Sequence, residues 1–131
     1  MRIEGWESLL QKHLEEAHFA RFEWGVNDCA LWCASWVKKA IGVDYGQLWY
    51  NRYASESQLE ELMSELGYSK PSDIADEIMP PMDIRFAQRG DIVEHPQGAL
   101  GICNGVYSNF LTDKGVTRLK TLDCLKAWKV R

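Results

Sequence analysis

The sequence predicts an α+β fold in which a buried N-terminal helix packs on a small antiparallel sheet. Helical spacings of three and four occupy most of the first eighty residues, and short strand-like runs punctuated by Gly, Pro and Asn-Gly occupy the rest. One helical stretch, Ala30 to Val37, is apolar or small at almost every position. A helix without a polar face lies inside a core, so the other elements must wrap this one. At 131 residues the chain can build one such core and not two, which predicts a single domain over 1–131.

In the first element, Ile3, Trp6, Leu10, Leu14 and Ala17 recur at intervals of three and four, with Glu7, Lys12, Glu15 and Glu16 between them. That spacing predicts an amphipathic helix over 3–18 with His13 and His18 at its surface or boundary. The turn from Arg21 to Val26 feeds the buried helix, which Asn27 or Asp28 caps and Gly42 ends. Residues 43–53 mix aromatic and polar groups with no period and read as a packed loop. Ser55 with Gln58 resembles a capping box for a helix through Leu59, Leu62, Met63 and Leu66, closed by Gly67. Ser72, after Pro71, starts a short helix that Pro80-Pro81 stops.

Strand signals begin at Gly90-Asp91, which opens Ile92-Val93-Glu94. Ala99 to Cys103 reads as a second strand, with Asn104-Gly105 as a hairpin turn. Val106 to Leu111 and Gly115 to Leu119 continue the meander, and Ala127 to Val130 supplies a last short strand.

Composition narrows the function. A formal charge of -4 gives no basic face for phosphate neutralisation, which argues against a nucleic-acid binder. No window approaches the ~20 apolar residues of a membrane span, and the N-terminus lacks the pattern of a signal peptide, so synthesis as a soluble cytoplasmic product is expected. Six tryptophans either fill the core or anchor an interface. Trp24 and Trp49 fall in loops, where aromatic rings mark binding surfaces, and they are candidate binding residues together with Asp28 and Asp91.

The candidate for chemistry is Cys29. The Asn27/Asp28 cap places it in the first turn of the buried helix, where unpaired N–H groups and the helix dipole stabilise a thiolate, so a depressed thiol pKa is expected. Cys33 lies one turn on, and alternation predicts that Cys103 shares with Ala99 and Gly101 the strand face meeting that helix. With Cys124 the four thiols could surround zinc or an iron–sulfur cluster, although they lack Cys-x-x-Cys spacing. Free thiols are the default, and no cofactor is the expectation.

Asn27-Asp28-Cys29 opening a helix, Arg89-Gly90-Asp91-Ile92-Val93 about sixty residues later and Ala99-Leu100-Gly101-Ile102 soon after resemble the NlpC-type papain-like peptidases that cut peptidoglycan stems. The likeness covers roughly residues 24–40 and 89–105. It implies a papain-like fold with Cys29 as nucleophile and a histidine base where this chain has Ala99. The nearest substitute is His95, in the loop entering that strand. Asp91 caps its turn rather than orienting a base, and Asn109 or Thr112 could supply the usual third polar group. The whole chain is similar to a family of small phage and prophage tail-module proteins. They share its Trp-Gly-x-x-Asp-Cys-Ala turn, its Arg-Gly-Asp and Ala-Leu-Gly strands and its terminal Ala-Trp-x-Val.

That second resemblance implies a place in the virion tail and other tail or tail-tip proteins as partners. Two functions follow. One is a tail component keeping a peptidase fold without its base; the other is a working peptidoglycan hydrolase with Cys29 as nucleophile and His95 as displaced base. Binding of peptidoglycan stem peptides without cleavage is a third.

Overall fold

The computed structural model describes residues 1–131. Four helices come first: α1 (Trp6–Glu16), α2 (Cys29–Ile41), α3 (Glu56–Glu65) and α4 (Pro71–Ile78). Six strands follow: β1 (Pro81–Met82), β2 (Ile92–Glu94), β3 (Leu100–Cys103), β4 (Tyr107–Thr112), β5 (Gly115–Lys120) and β6 (Ala127–Trp128). They form one antiparallel sheet in the order β1-β6-β2-β3-β4-β5. The architecture is α+β, as the two kinds of periodicity predict. No helix is long and apolar enough to cross a membrane.

Local chemistry explains most helix ends. The N–H of Ile3 donates to the Ala40 carbonyl at 2.8 Å, which holds the N-terminal residues against the end of α2. Helix α1 therefore begins only after Gly5, whose φ of 81° suits glycine. Asp28 caps α2 by accepting from the Leu31 N–H, and Gly42 ends it at φ 77°. Ser55 Oγ accepts from the Gln58 N–H at 3.1 Å, while Gln58 Oε1 reaches back to the Ala54 N–H at 2.8 Å. Helix α4 starts at Pro71 rather than Ser72, because proline suits the first helical position and Asp73 folds back to accept from the Ser69 and Lys70 N–H groups. Ser72 is buried instead of capping.

Two features of the sheet depart from the sequence expectation. The pair Pro81–Met82 forms an edge strand, and β6 pairs with both β1 and β2, so the last strand lies between earlier ones. Strand faces are also reversed relative to the prediction. Ile92, Leu100, Ile102, Leu111 and Trp128 join Trp32, Cys33, Trp36 and Val37 of α2 in the main core. Val93, Cys103, Phe110, Cys124 and Ala127 form a separate cluster on the opposite face. The reason is steric: the branched side chains of Leu100 and Ile102 fill the space under α2, whereas Gly101 leaves room for the Phe110 ring, which a Cβ there would strike. Cys103 therefore faces away from α2.

A third cluster, Leu31, Tyr53, Leu59, Leu62 and Met63, lies beneath α3 and the 43–53 loop. It meets the main core along one side of α2, and that seam carries the candidate site.

Candidate functional site around the start of helix α2

The turn before α2 is built on Gly25. Its φ of 80° favours glycine, and an added Cβ would collide with the Tyr53 carbonyl. The Gly25 carbonyl accepts from the Asn51 N–H at 2.8 Å, which binds the turn to the aromatic loop. Asp28, fully buried, accepts from the N–H groups of Leu31 and Gly25, each at 3.0 Å, and from the Tyr53 hydroxyl at 2.5 Å. Three donors thus hold a carboxylate that would otherwise be costly to bury. Burial, with the bond to Asp28, raises the Tyr53 pKa and keeps that hydroxyl a donor.

Cys29 follows directly and is half-buried. Its thiol is pushed up to about 11, first by burial and then by the Asp28 carboxylate beside it. The backbone N–H groups of Leu100, Ala30 and Cys29 pull the other way without prevailing. The expected depressed pKa is therefore corrected. A helix N-terminus favours a thiolate, but an adjacent buried carboxylate and loss of solvent outweigh it.

The other candidates divide between two places. Trp24 meets Phe22 edge to face at 5.0 Å, and Trp49 lies 6.1 Å from the Tyr68 ring. Both pack on the Leu31–Tyr53 cluster, so Asp28, Cys29, Trp24 and Trp49 share one region. His95 lies elsewhere. Its ring stands edge to face on Phe110 at 5.1 Å, and its Nδ1 accepts from the Gln97 N–H at 3.0 Å. Phe110 belongs to the cluster on the sheet face opposite α2. Ala99 also packs against that cluster. Neither position brings an imidazole to the Cys29 sulfur.

Asp91 is buried and accepts from Arg2 Nη2 at 2.8 Å, the Gln88 N–H at 2.8 Å and the Val130 N–H at 3.3 Å. Arg2 also donates to the carbonyls of Val130 and Arg89 and stacks over the Trp6 ring at 4.3 Å. This arrangement clamps both chain ends to the start of β2, which is a structural task.

His13 is buried rather than at the surface. Its ring stacks on Trp32 at 5.3 Å, with Nε2 3.1 Å from the Trp32 carbonyl and Nδ1 2.9 Å from Lys39 Nζ. Burial and the Lys39 charge lower its pKa to about 4. A neutral imidazole satisfies both contacts, donating from Nε2 and accepting at Nδ1.

The cysteines are free. Cys29 and Cys33 lie on α2, while Cys103 and Cys124 lie on the far side of the sheet, where a Ser108–Thr121 hydroxyl pair at 2.8 Å adjoins them. The four-thiol set is not assembled, and no group of three or more His, Cys, Asp or Glu side chains is placed to hold a metal ion.

Beside Cys29, an apolar cavity of about 70 Å³ opens between α2, α4 and the aromatic loop. Ala30, Cys33, Tyr53, Ile74, Ile92 and Leu100 contribute to its wall. No residue spacing marks this cavity or the Tyr53–Asp28 bond, because both depend on how the unperiodic 43–53 loop folds over α2. A family model described as "Domain of unknown function (DUF6950)" matches residues 1–130. No curated protein and no solved structure matches the chain.

Proposed function

The chain belongs to the DUF6950 family, and we propose that it is a non-hydrolytic papain-like module of a phage or prophage tail. In this reading the fold of a peptidoglycan peptidase is kept for assembly or binding, and its chemistry is lost. The observation that carries the loss of chemistry is the state of Cys29: its thiol sits near pKa 11, with Ala99 and His95 both on the opposite side of the sheet. Nucleophilic catalysis by a thiol needs a base within hydrogen-bond reach, and none stands there. The tail context rests on the motif resemblance alone.

A working peptidoglycan peptidase is the second reading. Its favourable observation is the set of backbone N–H groups of Leu100, Ala30 and Cys29 around the sulfur, which suits an oxyanion. It also requires an imidazole that reaches Cys29.

Complementation separates the two. In a lysogen lacking this gene product, the Cys29→Ser protein should restore infectious particles as well as the unaltered protein does, and purified protein should release no fragments from peptidoglycan. Fragment release abolished by Cys29→Ser would overturn the non-hydrolytic reading. Infectious particles appearing without the protein would overturn the tail assignment.

A further inference from the structure

On the sheet face turned away from α2, two thiols converge on one pair of hydroxyls. Cys103 ends β3 and is wholly buried, and Cys124 follows the short turn Thr121–Asp123 and is 5% exposed. Both belong to the cluster that Val93, Phe110 and Ala127 complete. The backbone brings them together. Ser108 is the register partner of Cys103 across β3 and β4. After β5, the Thr121 N–H donates to the Val106 carbonyl at 2.8 Å, and the Cys124 N–H donates to the Thr121 carbonyl at 3.0 Å. The chain is thereby returned to the end of β3.

Thr121 Oγ1 stands 3.7 Å from the Cys103 sulfur and 2.8 Å from Ser108 Oγ. The Ser108 hydroxyl also reaches the Cys124 thiol. Burial pushes that thiol up to about 11, and the Cys103 sulfur beside it adds to the rise. What the thiols do for the fold is slight. The Cys103 sulfur lies 3.5 Å from the Gly105 carbonyl and 3.4 Å from the Gly105 N–H nitrogen, and the Cys124 sulfur lies 3.8 Å from the Lys120 carbonyl. Sulfur is a weak donor and acceptor, so little is lost when these contacts are exchanged for a bond.

The other two thiols are placed differently. Cys29 and Cys33 stand one turn apart on α2. Side chains at that spacing have Cβ atoms about 5–6 Å apart, whereas a disulfide needs about 3.5–4.5 Å, so a bond between them has to distort the helix.

We propose that Cys103 and Cys124 form a modification site, a thiol pair that a small-molecule disulfide oxidises to an intramolecular disulfide. The Cys124 thiolate attacks one sulfur of the reagent, expels a thiolate and becomes a mixed disulfide. The Cys103 thiolate then attacks the Cys124 sulfur and expels the second thiolate. The two protons lost by the cysteines end on the two expelled thiolates, and the reagent is reduced to two thiols as the pair is oxidised. The bond closes a ring around β4 and β5, which restricts the unfolded chain and stabilises the folded one. The site lies across the sheet from α2 and is independent of the tail assignment.

The test is equilibration of the full chain with cystamine and cysteamine at mildly alkaline pH, quenching with N-ethylmaleimide, and peptide mapping by mass spectrometry. A peptide pair linked through Cys103 and Cys124 is expected, with Cys33 blocked as a free thiol. At fixed cystamine, the ratio of linked to reduced protein should fall as the inverse square of the cysteamine concentration, the signature of an intramolecular bond. The linked protein should unfold at a higher urea concentration than the reduced one, and Cys124→Ser should abolish both the link and that rise. Cys103 and Cys124 both remaining open to N-ethylmaleimide would overturn the proposal, as would a Cys124 mixed disulfide that never resolves or a dominant Cys29–Cys33 link. A linked protein no more stable than the reduced one would show that the native geometry does not accept the bond, and would overturn it equally. The peptide map of the unaltered protein decides the matter even where the Cys124→Ser chain folds poorly.

Discussion

Acidification should weaken this protein through one residue, His13. Its folded-state pKa of about 4 lies below the ordinary 6.5 because burial and the Lys39 ammonium both oppose a second proton. Between those values the unfolded chain binds the proton and the folded chain does not, so stability falls as the pH is lowered. The contribution is fully present above 6.5 and is lost progressively down to about 4. At 1.36 kcal/mol per unit, the full loss is about 3 kcal/mol, of which about 2 kcal/mol has gone by pH 5. The assay is urea unfolding at pH 7.5 and 5.0 for the unaltered protein and for His13→Gln, whose amide can donate to Trp32 and accept from Lys39 without titrating. Subtracting the two pH dependences removes the carboxylates common to both. The unaltered protein should lose about 2 kcal/mol more than the variant. Equal losses would show that His13 is not held neutral by its surroundings and would refute the reasoning.

Other substitutions test the supports around the site. Asp28→Ala should cost roughly 3 kcal/mol in the same urea assay, because it strips a cap and leaves the Gly25 and Leu31 N–H groups and the Tyr53 hydroxyl without their acceptor. Arg2→Met should cost about 3 kcal/mol by leaving Asp91 buried without its countercharge, with the loss visible as a lower urea midpoint at unchanged slope. Gly101→Ala should lower the thermal midpoint, at a cost of about 1–3 kcal/mol, because the new methyl meets the Phe110 ring and the Asn109 carbonyl.

Local chemistry made much of this fold legible in the sequence. The Asp28 cap, the Gly42 stop, the Ser55–Gln58 cap and strands β2 to β5 all arise from short-range signals. The two-residue strand β1 and the insertion of β6 beside it were illegible, since two residues carry no period and pairing between distant segments leaves no local mark. The face of Cys103 was misread for a related reason. Alternation says which residues share a face but not which face meets the helix, and the small size of Gly101 under Phe110 decides it.

The site was legible as a location and misread in its chemistry. The sequence puts Cys29 at a helix start, and the structure does so too. What reverses the expected pKa is burial together with an adjacent carboxylate, held inward by Gly25 and Tyr53, and that depends on the folding of the 43–53 loop.

The central claim is that Cys29 is an unactivated thiol, and its iodoacetamide labelling rate against pH tests this directly. The rate should rise about tenfold per pH unit from 7 to 10 with no plateau, as the thiolate fraction does below a pKa near 11. A rate already level below pH 7 would mean an activated thiolate, contradict the account and restore the hydrolase.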